Sequence, residues 1–225
     1  MDKKLFIAES PRKKIEFAEA YPIDVEYDYD RYSYCPHCKR RVTGAYWNRP
    51  REVVLTSRKV PDFLYASCDW SPFLISKTAL EKIQAAGLTG ILAAEEIESV
   101  RFQRKSKFDT PIPRYFHIEL AYSRITIDHT RSKIVYGDLS SSYTYCPLCR
   151  GVPRMYNFFR HLVFNMEEYE GYDIFHAYEM GTHALFSNRF VEFCNDSGLT
   201  GLNYVPAYAH GKWMAEYFLD GNEDA

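Results

Sequence analysis

Two short motifs, Cys35-Pro36-His37-Cys38 and Cys146-Pro147-Leu148-Cys149, stand 111 residues apart and constrain this chain more than any other feature. Moving the whole sequence by that one offset, without a gap, aligns much more than the cysteines. Tyr32 and Tyr34 fall on Tyr143 and Tyr145, Asp62 and Ala66 on Asp173 and Ala177, and Leu74 and Ser76 on Leu185 and Ser187. Gly87-Leu88-Thr89-Gly90 falls on Gly198-Leu199-Thr200-Gly201. The matches keep their order, which is the signature of an internal duplication. The seam lies near Pro111 to Pro113, so residues 1–111 form one half and residues 112–225 the other, expected to pack as one compact unit.

Four thiols in two matched pairs need a chemical reading. A CxxC turn places two sulfurs on one tight knuckle, and two knuckles supply the tetrahedral sulfur set of a structural zinc site. The proline inside each motif restricts φ in the turn. Lys39, Arg40 and Arg150 can offset the charge of a metal tetrathiolate. The two pairs are separated by 107 residues, far more than the roughly 15–20 of compact zinc ribbons. In a duplicated chain a pseudo-twofold axis can still bring equivalent knuckles together. The expectation is one structural Zn²⁺ held by Cys35, Cys38, Cys146 and Cys149. Iron–sulfur ligation, a redox CxxC and paired disulfides remain open alternatives. Four cysteine ligands leave no open position for catalysis. Cys68 and Cys194 do not correspond under the shift and read as buried thiols.

The elements expected are α+β, used twice. Residues 4–8, 23–28 and 63–66 read as strands. Ser76 can cap a helix running to about residue 86, with Leu80 and Ile83 inward and Gly87 as its left-handed stop. Ser187, then Phe190, Val191 and Cys194, then Gly198 repeat that pattern. Strands are also expected over 88–92, 100–103, 114–121, 124–128, 199–205 and 213–218. The fold class is therefore two duplicated α+β halves about a pseudo-twofold, joined at a four-cysteine zinc site.

The 225 residues are 46% hydrophobic, with 19 tyrosines and 15 phenylalanines, enough for a sizeable core. A formal net charge of −2 gives no global basic signal, which disfavours bulk electrostatic binding of nucleic acid. No run approaches the roughly 18 apolar residues of a membrane helix. The opening residues lack the apolar stretch of a signal peptide, so a cytoplasmic protein is expected. Acidic clusters stand at 24–30, 95–98 and 167–170, and period-two alternation over 24–30 suggests a strand with a carboxylate face. Asp24, Glu26, Tyr27, Asp28, Tyr29 and Asp30 are the first candidates for partner contact; Glu167, Glu168 and Glu170 are the second. The histidines make no pair on one helix face, and neither a nucleophile elbow nor a phosphate loop is present. Asp128-His129 reads as a surface turn. No enzyme activity and no small-molecule ligand are expected.

Paired CxxC motifs about 100 residues apart, each followed by a helix-and-strand unit over residues 74–92 and 185–202, resemble the double-CxxCG motif family, first noted among myxobacterial paralogues. One local departure is that the glycine after the second motif is displaced, with Arg150 preceding Gly151, while Lys39 and Arg40 follow the first. The resemblance implies an immunity protein of polymorphic or contact-delivered toxin systems, which binds a cognate toxin encoded nearby and covers its working surface. A nuclease toxin would present a basic groove to an acidic face. The competing reading is a nucleic-acid-associated zinc protein using Lys39, Arg40, Arg41, Arg49 and Arg51, with Tyr46 and Trp47 stacking on bases.

Overall fold

A computed structural model of the chain describes residues 4–9, 19–24, 26, 28, 34–39, 47–56, 60–68, 71–103, 111–135, 146, 158–180 and 183–209. The chain is a mixed α+β protein dominated by sheet. Its first stretch holds β1 (Leu5–Glu9), β2 (Glu19–Ile23), β3 (Glu52–Leu55), β4 (Phe63–Cys68), β5 (Ser71–Ser76), α1 (Lys77–Ala85), β6 (Ile91–Glu96) and β7 (Ser99–Phe102). It continues through β8 (Tyr115–Ser123), β9 (Lys133–Val135), β10 (Phe158–His161), β11 (Ile174–Ala177), β12 (Ala184–Ser187), α2 (Asn188–Asp196) and β13 (Asn203–Pro206). Eleven of these strands share one sheet, and β9 and β10 pair separately.

Both helices form for local reasons. The Ser76 hydroxyl accepts from the Ala79 N–H and the Ser187 hydroxyl from the Phe190 N–H, so each helix has the side-chain cap its orphan donors need. Each ends at a glycine with positive φ, 63° at Gly87 and 64° at Gly198, where a side chain would be strained. Leu80 and Ile83 of α1 are buried, as are Phe190, Val191 and Cys194 of α2.

The sheet crosses between the sequence halves. β1 pairs antiparallel with β12 and with β13, both far along the chain. β8 pairs through its first residues with β5 and β6, and through Ala121–Ser123 in parallel with β11. β2 is parallel to β4 in the same manner. Each half therefore lends its leading strand to the other, β1 joining β12 and β13 while β8 joins β5 and β6, although β5, β4, β2, β3 and β7 also pair in a run within the first half. Packing follows the pairing. Leu5 and Ile7 lie in a core with Phe175, Leu185 and Leu162, whereas Tyr115 lies in a core with Val53, Leu55, Leu64 and Leu74. A third core joins Phe63, Phe73 and Ile83 to Phe186, Phe190 and Cys194.

Several expected elements are displaced. The strand placed at 23–28 is β2, ending at Ile23, because Asp24 has φ 45° and leaves the extended region. The alternating acidic strand over 24–30 is thus not formed at Asp24, Glu26 or Asp28. Residues 88–90 and 199–202 are not strand; β6 and β13 begin three and four residues later than expected. Residues 124–128 contribute only an isolated bridge, Ile127 with Phe164. The strand expected at 213–218 lies outside the described residues.

Candidate metal centre

The loop between β2 and β3 carries the first knuckle. Residues 36–38 form a turn, closed by the Lys39 N–H donating to the Cys35 carbonyl at 2.8 Å. Lys39 takes φ 58°, the left-handed conformation that favours glycine. The residue after the motif is therefore where a glycine would fit without strain, and here a lysine occupies it. The backbone N–H of Cys38 has the largest influence on Cys35 and holds its thiol below the ordinary cysteine range; the N–H of His37 acts likewise, against burial.

Cys146 arrives from the other half of the chain. Its Sγ lies 3.6 Å from Cys35 Sγ, and both residues are buried. Adding the exposed Cys38, the three sulfurs all lie within 4.8 Å of one another. Tetrahedral coordination with Zn–S near 2.3 Å requires sulfurs about 3.8 Å apart. The three are close enough to hold a metal ion, with room for contraction around one. A disulfide needs about 2.05 Å, so Cys35 and Cys146 stand as separate thiols. Cys149 lies outside the described residues. Cys194 is elsewhere, in the helix-packed core, where burial pushes its thiol up to about 11. The side chain of Cys68 is outside the described set.

The acidic clusters differ in what they have left to offer. Asp24 and Glu26 are exposed and Asp28 is half-buried, while Tyr27, Tyr29 and Asp30 lie outside the described residues. Glu95 pairs with Arg51, Glu96 with Arg114, and Glu98 with Arg49 at 3.1 Å. Glu168 accepts from the Thr126 hydroxyl, and Glu170 from the Arg124 N–H at 3.0 Å. Two carboxylates of the third cluster thus serve the chain's own loops, and exposed Glu167 stands beside them.

The basic and aromatic set of the nucleic-acid alternative is corrected at two positions. Trp47 is 3% exposed and meets the His117 ring edge-on at 6.3 Å, so it has no face for a base. Arg51 is equally buried and bound to Glu95. Lys39 is exposed, Arg49 pairs with Glu98, and Arg40, Arg41 and Tyr46 are outside the described residues. Asp128 does form a turn: its carboxylate accepts from the Thr130 hydroxyl, the Arg131 guanidinium and the N–H groups of Arg131 and Thr130, which together hold it well below the usual carboxylate range. His129 beside it lies 3.3 Å from buried Glu179, which also accepts the Ile127 N–H.

One functional element escaped the sequence reading. Asp62 accepts from Ser76 in its own half, and also from the N–H and hydroxyl of Thr200 in the other. Asp173 does the same with Ser187 and with Thr89. The signal was present: aspartate and Gly-Leu-Thr-Gly repeat at one offset. No protein-family model matches the chain, and the search of curated proteins found no match.

Proposed function

We propose that this chain is a cytosolic immunity protein that binds a cognate bacterial toxin and occludes its working surface, built from duplicated halves that one structural zinc joins. The observation that carries the metal part is the convergence of Cys35, Cys38 and Cys146 from motifs 111 residues apart. Cys35 and Cys146 are equivalent motif positions. Any twofold relating them passes within half of their 3.6 Å separation, so the axis runs through the sulfur cluster. The counterpart of Cys38 at the offset of 111 is Cys149, which this reading takes as the fourth ligand. Zinc there supplies cross-linking, with no coordination position left for substrate.

The binding role rests on the family resemblance and on surface chemistry. Asp24 and Glu26 are exposed acids adjoining the knuckle loop, suited to a basic groove such as that of a nuclease. They rank ahead of the third cluster, whose Glu168 and Glu170 are engaged internally. Burial of Trp47 and Arg51 counts against the nucleic-acid reading.

The metal is tested by native mass spectrometry. One zinc per chain, released on Cys35→Ser or Cys149→Ser, is the expected outcome; two metals, or none with free thiols, rejects the single joint. The partner is tested by co-expression with the product of an adjacent gene. A one-to-one complex that protects cells is expected, and reversal of Asp24, Glu26 and Asp28 to Lys should weaken it without releasing zinc. No binding by the unmodified chain rejects the immunity reading. Unchanged protection by the reversed variant rejects this patch.

A further inference from the structure

The three clustered sulfurs differ sharply in access. Cys38 is exposed, whereas Cys35 and Cys146 are 2% and 6% exposed and 3.6 Å apart. We propose that, when free of metal, this centre is an oxidation site for hydroperoxides whose stable product is a Cys35–Cys146 disulfide across the two halves. The proposal concerns the same sulfurs as the metal-joint reading but stands on their access and spacing, and any bound ion must leave before they can react.

The steps follow from access and distance. A peroxide meets Cys38 first. The Cys38 thiolate attacks one peroxide oxygen, the S–O bond forms, the O–O bond breaks, and the departing oxygen takes a proton and leaves as water from hydrogen peroxide or as an alcohol from an organic hydroperoxide. Cys35, on the same turn, attacks the sulfenic sulfur and expels hydroxide, which is protonated to a second water. Cys146 then attacks the Cys35 sulfur. The Cys35–Cys38 bond breaks, and its electron pair leaves on Cys38, the exposed and best solvated of the three. Two thiols and one hydrogen peroxide become one disulfide and two waters. Exchange depends on which sulfur the attacking thiol can reach, and Cys146 already lies 3.6 Å from Cys35; the resulting bond is screened from bulk thiol reductants. Closure needs the two buried sulfurs to move from 3.6 Å to about 2.05 Å.

The test uses the full chain. Metal content is measured first by native mass spectrometry; the metal is then removed with a chelator under reducing conditions, and the reductant is exchanged away. Hydrogen peroxide is added, free thiols are alkylated, and peptides are mapped without reduction. The expected product joins the Cys35 peptide to the Cys146 peptide with Cys38 alkylated, and melts higher than the reduced metal-free chain. Dominant Cys35–Cys38 or Cys146–Cys149 bonds, or sulfinic acid at Cys38, overturns the proposal. A Cys38→Ser variant should give the same cross-link at least roughly tenfold more slowly, since direct entry at a buried thiol is hindered, and an equal rate overturns the entry step. A chain that purifies without metal yet forms the cross-link rejects the zinc reading and leaves this one standing. A chain that purifies with metal and forms no cross-link does the reverse.

Discussion

The two aspartate clamps occupy equivalent places in the halves, yet they are not equally built. Asp173 is 4% exposed and receives Ser187, both donors of Thr89, and the guanidinium of Arg189 at 3.1 Å. Asp62 is half-buried and receives Ser76 and both donors of Thr200. Thr78 stands where the second half has Arg189, so the first clamp lacks the cation. Arg189 also reaches across to the Ala86 carbonyl at the end of α1, and Lys82 returns the contact at the Ser197 carbonyl after α2. The two clamps share their geometry but not their electrostatics. The lesson is that backbone approach holds this joint in both copies, and the charges adjust its strength.

The sharpest way to break the comparison is at the glycines beneath each clamp. A Cβ on Gly90 would sit 1.7 Å from the Ile174 carbonyl oxygen, and one on Gly201 2.1 Å from that of Phe63. Both glycines also have φ above 100°. Gly90→Ala and Gly201→Ala should each cost at least ~4 kcal/mol, the range reserved for gross steric or burial faults. Thermal melts of both variants check this. A loss of only a few degrees in either would show that the close approach is dispensable in that half.

Removing the carboxylates should separate the copies. Asp173→Ala removes a buried carboxylate and leaves the buried Ser187 hydroxyl without its acceptor, for a cost of about 2–3 kcal/mol. Asp62→Ala removes a half-buried carboxylate, leaving the Thr200 donors within reach of water and the buried Ser76 hydroxyl without its acceptor, for about 1–2 kcal/mol. Equal urea midpoints would mean that burial and Arg189 add nothing to the second clamp.

Acid sharpens the contrast at another equivalent pair. Tyr65 of the first half donates its hydroxyl to the Ala8 carbonyl, while its counterpart His176 is buried, with Nδ1 3.3 Å from the His183 carbonyl. Burial holds the His176 pKa down at about 4 against 6.5. The unfolded chain therefore takes a proton below pH 6.5 that the folded chain refuses until about pH 4, so stability falls as pH drops through that window. The loss from His176 should be roughly 1.5 kcal/mol between about pH 6.5 and about pH 5. His117, also held at about 4 by burial and by Arg51, should add a similar amount. Denaturation of the parent and of His176→Gln at both pH values measures the difference; an identical pH response would reject a neutral buried imidazole.

The smallest effect is expected from Arg189→Ala. The side chain is 58% exposed, so loss of the pair and of the α1 contact should cost only about 0.5–1 kcal/mol. The useful measurement is the double variant with Asp173→Ala. A cost smaller than the sum of the two singles is expected for partners in one network, and strict additivity would show that they act independently.

The chain alone established what depends on near neighbours and on the offset of 111. Ser76 and Ser187 cap helices, Gly87 and Gly198 end them, and Leu80, Ile83, Phe190, Val191 and Cys194 turn inward, because capping and helical periodicity act within a few residues. The repeated CxxC likewise marked Cys35, Cys38, Cys146 and Cys149 as candidates for one site, of which the first three lie together among the described residues. Position along the chain could not say which half completes which sheet. β1 finds β12 and β13, and β8 finds β5, β6 and β11, because ladder hydrogen bonds and shared cores reward strands that are distant in sequence as readily as near ones. The same long-range packing shifted β6 and β13: residues 88–90 and 199–201, which read as strand, are spent on the reciprocal clamps. It also buried Trp47 and Arg51, whose composition had suggested an exposed surface. Local chemistry determined the caps and the first knuckle; only the tertiary structure decided that the two halves hold each other's strands.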